Sequence, residues 1–378
     1  MNISLVNGIA EYVKEYDESR PCPTYEPLRE TWLAELEGAL GSEIPWDEFE
    51  VPTQAISSHI EFVSDIFTMF LALAKSTRWS SLNLYDRMEH VKRVVEYPQI
   101  TQRTTDWYLQ SKGVLTASEF ASILGTERAR STLALQKVAP IPETPSTNRL
   151  ACSTPEMGPF DWGIRFEPVV KQILEMMWVC KILEIGRLVH KTNPRLAASP
   201  DGLIESAADS ERVGRLLEIK CPVKREINGK IPFEYWCQMQ IQMEVADIDE
   251  CDYIEVKIAS AYKDTPYVEP SDETTKYKGT VWLFQAPETC EMKYAYTEEE
   301  RKKMVELEWN CIETIPWHMD SHFTTTVQRD RAWFDSTLEK RNEFWKAVDS
   351  ARQGLLVLPP SSAKARTPTV TVCKIMDD

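Results

Sequence analysis

Apolar residues recur at three- and four-residue spacing over Glu26–Leu40, Ser57–Lys75 and Ser81–Val95. That spacing puts them on one stripe of a helix, and proline- or serine-containing breaks separate the three segments. The pattern predicts a helical N-terminal portion. A short helix over Glu119–Leu124 follows, capped by Thr116 or Ser118 and ended by Gly125. From Asp161 the period alternates between helix and strand. A helix begins near Trp162 and continues through Pro168–Val179, with Glu167 in its early turns. Strands are expected over Ile182–His190, Leu196–Ile204 with a turn at Asp201-Gly202, and Arg215–Lys220. A helix over Glu234–Val245 comes next, then strands over Asp252–Ser260 and Gly279–Gln285, then helices over Thr297–Thr314 and Val327–Ala351. This order predicts an α/β chain built on an α+β mixed sheet.

Between Pro140 and Pro159 the chain is rich in Pro, Ser and Thr, the pattern of a loop and a candidate flap. Beyond Gly354 it turns proline- and serine-rich, then Thr/Val-rich, which suits a flexible tail or docking peptide. Three parts are expected: an acidic helical lobe over 1–100, a body over 101–350 and a tail over 351–378.

Composition narrows the class. The 378 residues are 43% hydrophobic and 27% charged, as in an ordinary globular protein. No run of eighteen apolar residues occurs, and the start lacks the basic-then-apolar layout of a signal peptide. Nine scattered cysteines without a CxxC pair point to reduced thiols in an intracellular setting, and against a structural zinc site. The formal net charge of −16 argues against nucleic-acid binding at first sight. Its distribution weakens that objection. Residues 1–66 hold 3 Lys/Arg and 14 Asp/Glu, a net of −11, whereas residues 75–137 hold 10 and 6, a net of +4. Lys181, Arg187, Lys191 and Arg195 add a second basic stretch. Phosphate contacts follow the local field rather than the sum.

The candidate chemistry lies in Ser199-Pro200-Asp201-Gly202-Leu203 and, seventeen positions after the aspartate (218 − 201), in Leu217-Glu218-Ile219-Lys220-Cys221-Pro222. Residues two apart on a strand share a face, so Glu218 and Lys220 project together while Ile219 packs the other way. With Asp201 alongside and the Ile219 carbonyl as a further oxygen, the set suits Mg²⁺ or Mn²⁺. Taken singly, Asp-Gly usually marks a hairpin turn and Glu-x-Lys a solvated pair. His318 and His322, four apart, lack the glutamate of HExxH, and no Walker-type phosphate loop is present.

SPDGL…LEIKCP resembles the lambda-exonuclease/YqaJ recombinase family of PD-(D/E)XK, restriction-endonuclease-like nucleases, on three further motifs as well. These are Trp162-Gly163-Ile164-Arg165-Phe166-Glu167, Tyr235-Trp236-Cys237-Gln238-Met239-Gln240, and Trp107-Tyr108-Leu109-Gln110-Ser111-Lys112-Gly113-Val114-Leu115-Thr116-Ala117-Ser118. The four occur in family order over about residues 104–260.

The resemblance implies a restriction-endonuclease-like core between the helical lobe and C-terminal helices. Asp201 would be the central metal ligand, joined by Glu218, the Ile219 carbonyl and Glu167. Lys220 would position or deprotonate the attacking water, as a base only if its pKa falls well below about 10.4. Gln238 would contact the site from its helix; Gln240 is a weaker second, and Gln242 reads as part of a solvated face. Ser118 and Ser199 would receive a 5′-phosphate. Lys112 would stand in for the arginine that the family places where Ser111 stands, with Arg128 or Arg165 as substitutes. Trp107 is the tryptophan here to single out for DNA contact.

The implied activity is a Mg²⁺-dependent 5′→3′ exonuclease on double-stranded DNA ends. Its product would be 3′ single strands for a single-strand annealing protein in recombination or viral genome processing. An endonuclease or RNA-degrading nuclease on the same scaffold, and an inactive nucleic-acid-binding module, are the alternatives. The resemblance suits a large DNA virus or phage, hence the host cytoplasm or nucleus. No membrane partner is expected, and a monomer is preferred to a ring-shaped trimer.

Overall fold

The computed structural model describes residues 83–140, 151–270 and 275–360. The helices expected over Glu26–Leu40 and Ser57–Lys75, residues 141–150 of the flap and the tail beyond 360 lie outside the described residues. Helix α1 (Leu84–Glu96) starts at Asn83, whose side chain accepts the Asp86 N–H at 3.0 Å. Strand β1 (Gln99–Ile100), α2 (Thr105–Ser111) and β2 (Leu115–Thr116) follow, then a 3₁₀ turn leading into α3 (Phe120–Leu124) and α4 (Glu127–Val138). Helix α5 (Pro159–Trp178) begins three residues earlier than its apolar period suggests. Pro159 sits where no N–H is needed, and Asp161 accepts the Gly158 N–H at 2.8 Å.

Four short strands come next: β3 (Cys180–Leu183), β4 (Arg187–Val189), β5 (Leu196–Ala198) and β6 (Gly202–Ala207). The chain continues through β7 (Leu216–Lys220), α6 (Phe233–Ala246), β8 (Glu250–Ser260), β9 (Lys278–Gln285) and β10 (Met292–Ala295). It closes with α7 (Glu298–Glu306), β11 (Asn310–Gln328), α8 (Arg331–Ser336) and α9 (Leu338–Arg352). The architecture is mixed α/β. A seven-stranded sheet runs β10-β9-β11-β8-β7-β6-β3, and a four-stranded one runs β1-β4-β5-β2. Among the described residues only β7–β8 and β2–β5 pair in parallel, and α6 is the crossover that a parallel β7–β8 pair requires.

The large sheet is covered on both faces. Consecutive residues enter opposite cores: Leu203, Leu216 and Tyr253 pack with Met239 and Ile241 of α6, whereas Ile204, Leu217 and Ile254 pack with Val170 and Ile173 of α5. Strands buried on both sides read as near-continuous apolar runs, which is how Leu216–Ile219 looks in the sequence apart from Glu218. The alternation puts Ile219 with the α5 core, so Glu218 and Lys220 face α6.

Three expectations change. The strands expected over Ile182–His190 and Leu196–Ile204 each divide in two, because the chain passes between the sheets at Glu184–Gly186 and at Ser199–Asp201. The helix expected over Thr297–Thr314 stops at Glu306, where Glu308 takes the left-handed conformation (φ 58°) and residues from Asn310 join a 19-residue strand. That strand pairs with both β8 and β9 and bulges at two places. Val327 therefore closes β11 opposite Cys251, and the C-terminal helical stretch starts at Arg331, capped by Asp330. His318 and His322 lie on this strand rather than on a helix. Among the described residues, no helix is long and apolar enough to cross a membrane.

Candidate active site

Asp201 sits in the passage between the two sheets. Its N–H donates to the Leu217 carbonyl at 3.1 Å, and its Oδ2 accepts the Ile219 N–H at 2.7 Å, so backbone and side chain both grip β7. Gln102 holds the preceding residue from outside, donating to the Pro200 carbonyl at 3.3 Å and to the Ile185 carbonyl at 2.9 Å. Gly202 makes no hairpin. A Cβ there would lie 2.7 Å from Ile182 Cγ2, so the glycine allows β3 to press against β6.

Glu218 is wholly buried. Its Oε2 accepts the Gln242 amide at 2.6 Å, and its Oε1 is ion-paired with Lys220. Lys220 also lies 3.4 Å from Gln238 Oε1, with its ammonium 4.6 Å from the centre of the Tyr235 ring. Burial pulls the Lys220 pKa down, but Glu218 and Asp201 outweigh it and hold it above the usual lysine range. Asp201 shifts the other way: burial pushes its carboxyl well up, and Glu218 and Glu167 push it further, against Lys220 and the Ile219 N–H.

A cleft of about 660 Å³ opens over these groups, with Glu167, Asp201, Ile219, Lys220 and Gln238 in its wall. Glu167 is bridged to Lys171 at 3.0 Å and to Arg103 at 3.6 Å. Arg103 holds a left-handed backbone (φ 65°), an uncommon conformation for a side chain of its size. Among the described residues no group of three His, Cys, Asp or Glu is arranged to hold a metal ion as it stands. Glu167 and Glu218 are turned onto cations instead, and Asp201 onto the Ile219 N–H. Their chemistry nonetheless fits a divalent hard cation: hard oxygen donors, mutually repelling and buried, are what such an ion stabilises.

The helix α6 glutamines need correction. Gln242, read as solvated, is buried against Glu218, while Gln240 is turned away onto the Gln328 carbonyl and the Asp330 N–H. The spacing of four from Gln238 to Gln242 was the available signal.

The residues expected to receive a phosphate separate into two groups. Ser199 and Ser118 line the cleft, Ser199 accepting the Trp107 indole N–H at 3.3 Å and Ser118 standing 3.4 Å from the Thr116 hydroxyl. Lys112 does not join them, since its ammonium donates to the Gln136 carbonyl at 2.7 Å, at the end of α4. Arg165 is also elsewhere, buried against Cys152, Thr154 and Tyr294, and Arg128 reaches the Pro359 carbonyl. Besides Lys220, the basic residues in the cleft wall are Arg103, Arg187 and Arg225. Of these, only Arg187 stood out in the sequence, as part of the basic stretch Lys181–Arg195; Arg103 and Arg225 did not.

The site is two carboxylates and one lysine, borne by an interior strand of a mixed sheet and by the turn that enters it. Residues 106–249 match the model of the YqaJ-like viral recombinase domain. An uncharacterised protein of Acanthamoeba polyphaga mimivirus is 27% identical over 188 residues, which is 46% of this chain and 31% of that protein. The chain thus spans about a third of the length of this viral relative. An alkaline exonuclease from Laribacter hongkongensis is similar over 67% of this chain and 96% of its own, at 19% identity and a TM-score of 0.39. A phage related exonuclease from Haemophilus somnus is similar over 64% and 96%, at 14% identity and a TM-score of 0.37.

Proposed function

We propose that the protein is a divalent-metal-dependent exonuclease that degrades one strand of duplex DNA from its end, 5′→3′, leaving 3′ single strands for recombination or viral genome processing. The observation that carries this reading is the convergence of Asp201, Glu218 and Lys220 beside one cleft, within the stretch that matches the YqaJ-like viral recombinase domain. Asp201, Glu218, Glu167 and the Ile219 carbonyl would hold Mg²⁺, or Mn²⁺ in its place. When bound, the ion supplies charge neutralisation at the phosphodiester and a more acidic water.

The chain's own groups do the rest. Lys220, fixed by Glu218, Gln238 and the Tyr235 ring, points an N–H donor at the position of the attacking water. Gln242 keeps Glu218 in one orientation from behind. Ser118 and Ser199 offer hydroxyls to the phosphate of the strand end.

The test is a single digestion series: 5′-phosphorylated and 5′-hydroxyl linear duplex, closed circular duplex, and RNA, each with Mg²⁺, Mn²⁺ or chelator. Metal-dependent loss of linear duplex with circles intact is the expected result. Cleavage of closed circles would replace the exonuclease with an endonuclease, and preference for RNA would replace the substrate.

A further inference from the structure

Arg187, on β4, is an anomaly among the buried arginines. Only 2% of it is exposed, yet it forms no ion pair among the described residues. Arg87 and Arg215, buried to a similar degree, both reach Glu250, and Arg215 reaches Asp252 as well. Arg165 likewise has no ion pair among the described residues, but it donates through all three guanidinium nitrogens. Arg187 instead makes one hydrogen bond, from Nη1 to the Trp107 carbonyl at 2.6 Å, and its buried Nε has no partner. Its planar group lies 3.9 Å from the centre of the Trp107 ring, which holds it flat.

The nearest opposing charge is already engaged. Glu119 accepts Lys137 through both oxygens, at 2.8 and 2.6 Å, and its Oε2 also takes the Thr116 N–H and hydroxyl. Burial pushes the Arg187 pKa down to about 10, with Glu119 only partly opposing it, so the group is still a cation at neutral pH. A buried cation with unused donors is costly unless an anion completes it.

The surroundings say which anion. Arg187 lines the same cleft as Ser118 and Ser199. Leu188 pairs with Ala198 in the antiparallel β4–β5 ladder, so one step further Arg187 stands beside Ser199. Two hydroxyls and a flat guanidinium fork make a receptor for a phosphate group. Enclosure favours a strand end over a passing backbone, because a continuing chain has no room to run past a side chain so deeply covered.

We propose that Arg187 receives the terminal phosphate of the strand entering the cleft, from a strand position rather than from the helix position held by Ser111. Ser111 is itself occupied, its hydroxyl on the Tyr108 carbonyl at 2.6 Å and its own carbonyl accepting Lys137 at 2.7 Å. The assignment rests on the nuclease reading for the identity of the strand, but its test does not need cleavage.

Binding of 5′-phosphorylated and 5′-hydroxyl duplexes of one sequence is compared in EDTA, on the full chain and on Arg187→Lys, Arg187→Gln and Lys112→Ala. The wild type should bind the phosphorylated end roughly tenfold more tightly or better. The ratio should collapse towards one in Arg187→Gln, survive in part in Arg187→Lys, and remain in Lys112→Ala. Circular dichroism checks folding, and Arg187→Lys, which keeps the charge and most of the volume, carries the test if Arg187→Gln does not fold. A wild type indifferent to the phosphate, or Arg187 variants that keep the wild-type ratio, overturns the assignment. So does equal weakening on both ends, which would make Arg187 a backbone contact. A ratio that depends on Arg187 in a protein that cuts nothing with Mg²⁺ would leave Arg187 standing and remove the exonuclease.

Discussion

Gln242 donates its amide to Glu218 at 2.6 Å with both side chains fully enclosed between α6 and β7. A buried carboxylate with one oxygen on an amide and the other on Lys220 has a single orientation, and that orientation sets where Lys220 points. Removing the amide leaves an acceptor without water or partner, which costs about 1–3 kcal/mol. Gln242→Leu should therefore lower the thermal midpoint and reduce turnover at least tenfold with little change in KM. Unchanged turnover in a destabilised variant would make Gln242 a purely structural residue.

Asp201→Asn, Glu218→Gln and Lys220→Met keep the side-chain volume, so they test chemistry apart from packing. Each should cut DNA cleavage by about a hundredfold or more, the scale seen when one preorganised electrostatic group is lost. Binding of duplex in EDTA should persist. A Lys220→Met protein with near-normal turnover in Mg²⁺ would contradict the assigned role.

The raised pKa of Asp201 fixes the sign of a metal effect. A carboxyl whose pKa rises on folding contributes stability while protonated; that contribution is full below its unfolded value near 3.9 and is lost as pH rises through the folded value. A cation replaces the proton there. The rise in thermal midpoint given by Mg²⁺ or Mn²⁺ should accordingly be larger at pH 8 than at pH 5.5, and small in Asp201→Asn. Ca²⁺ should stabilise without supporting cleavage, because its looser, longer coordination misplaces the water. Equal shifts at both pH values would remove Asp201 from the ion's surroundings.

Arg329 joins the end of β11 to the end of α6. It is nearly enclosed and meets Glu244 at 2.7 Å, Asp247 at 3.0 Å and Asp249 at 3.4 Å. Burial alone would raise the Glu244 pKa, but hydrogen bonds from His190 and Arg329 hold it below the usual value. A depressed carboxylate contributes stability above its unfolded pKa and loses it as pH falls through the folded one. Arg329→Met should cost about 3 kcal/mol at pH 7 by leaving buried charge unpaired. Denaturant titrations should show the gap to wild type narrowing as pH falls into the carboxylate range. A gap independent of pH would assign the loss to packing.

Residues 199–220 show how far sequence alone reaches. A strand fixes that Glu218 and Lys220 share a face and that Ile219 does not, since side chains alternate whatever surrounds them. The apolar residues on either side of Glu218 read as buried for the same local reason, and the Asp-Gly pair marks a break in the strand. Nothing local distinguishes the hairpin that Asp-Gly suggests from the passage between two sheets that it forms, because that depends on which strands lie beside it. Asp201 meets Ile219 across eighteen residues only after β5 and β6 have joined different sheets. The helix expected over Thr297–Thr314 fails similarly: its charged, amphipathic pattern continues past Glu306, and pairing of Asn310–Thr314 with β9 overrides it. Burial of a polar side chain is the least legible property of all. Gln242, Lys112 and Arg187 look alike as polar residues near motifs, and only the packed fold puts one against Glu218, one on a helix end and one unpaired in the cleft wall. Periodicity acts through bonds to near neighbours, and so the sequence determines it; which charge goes without a partner is a sum over the whole fold.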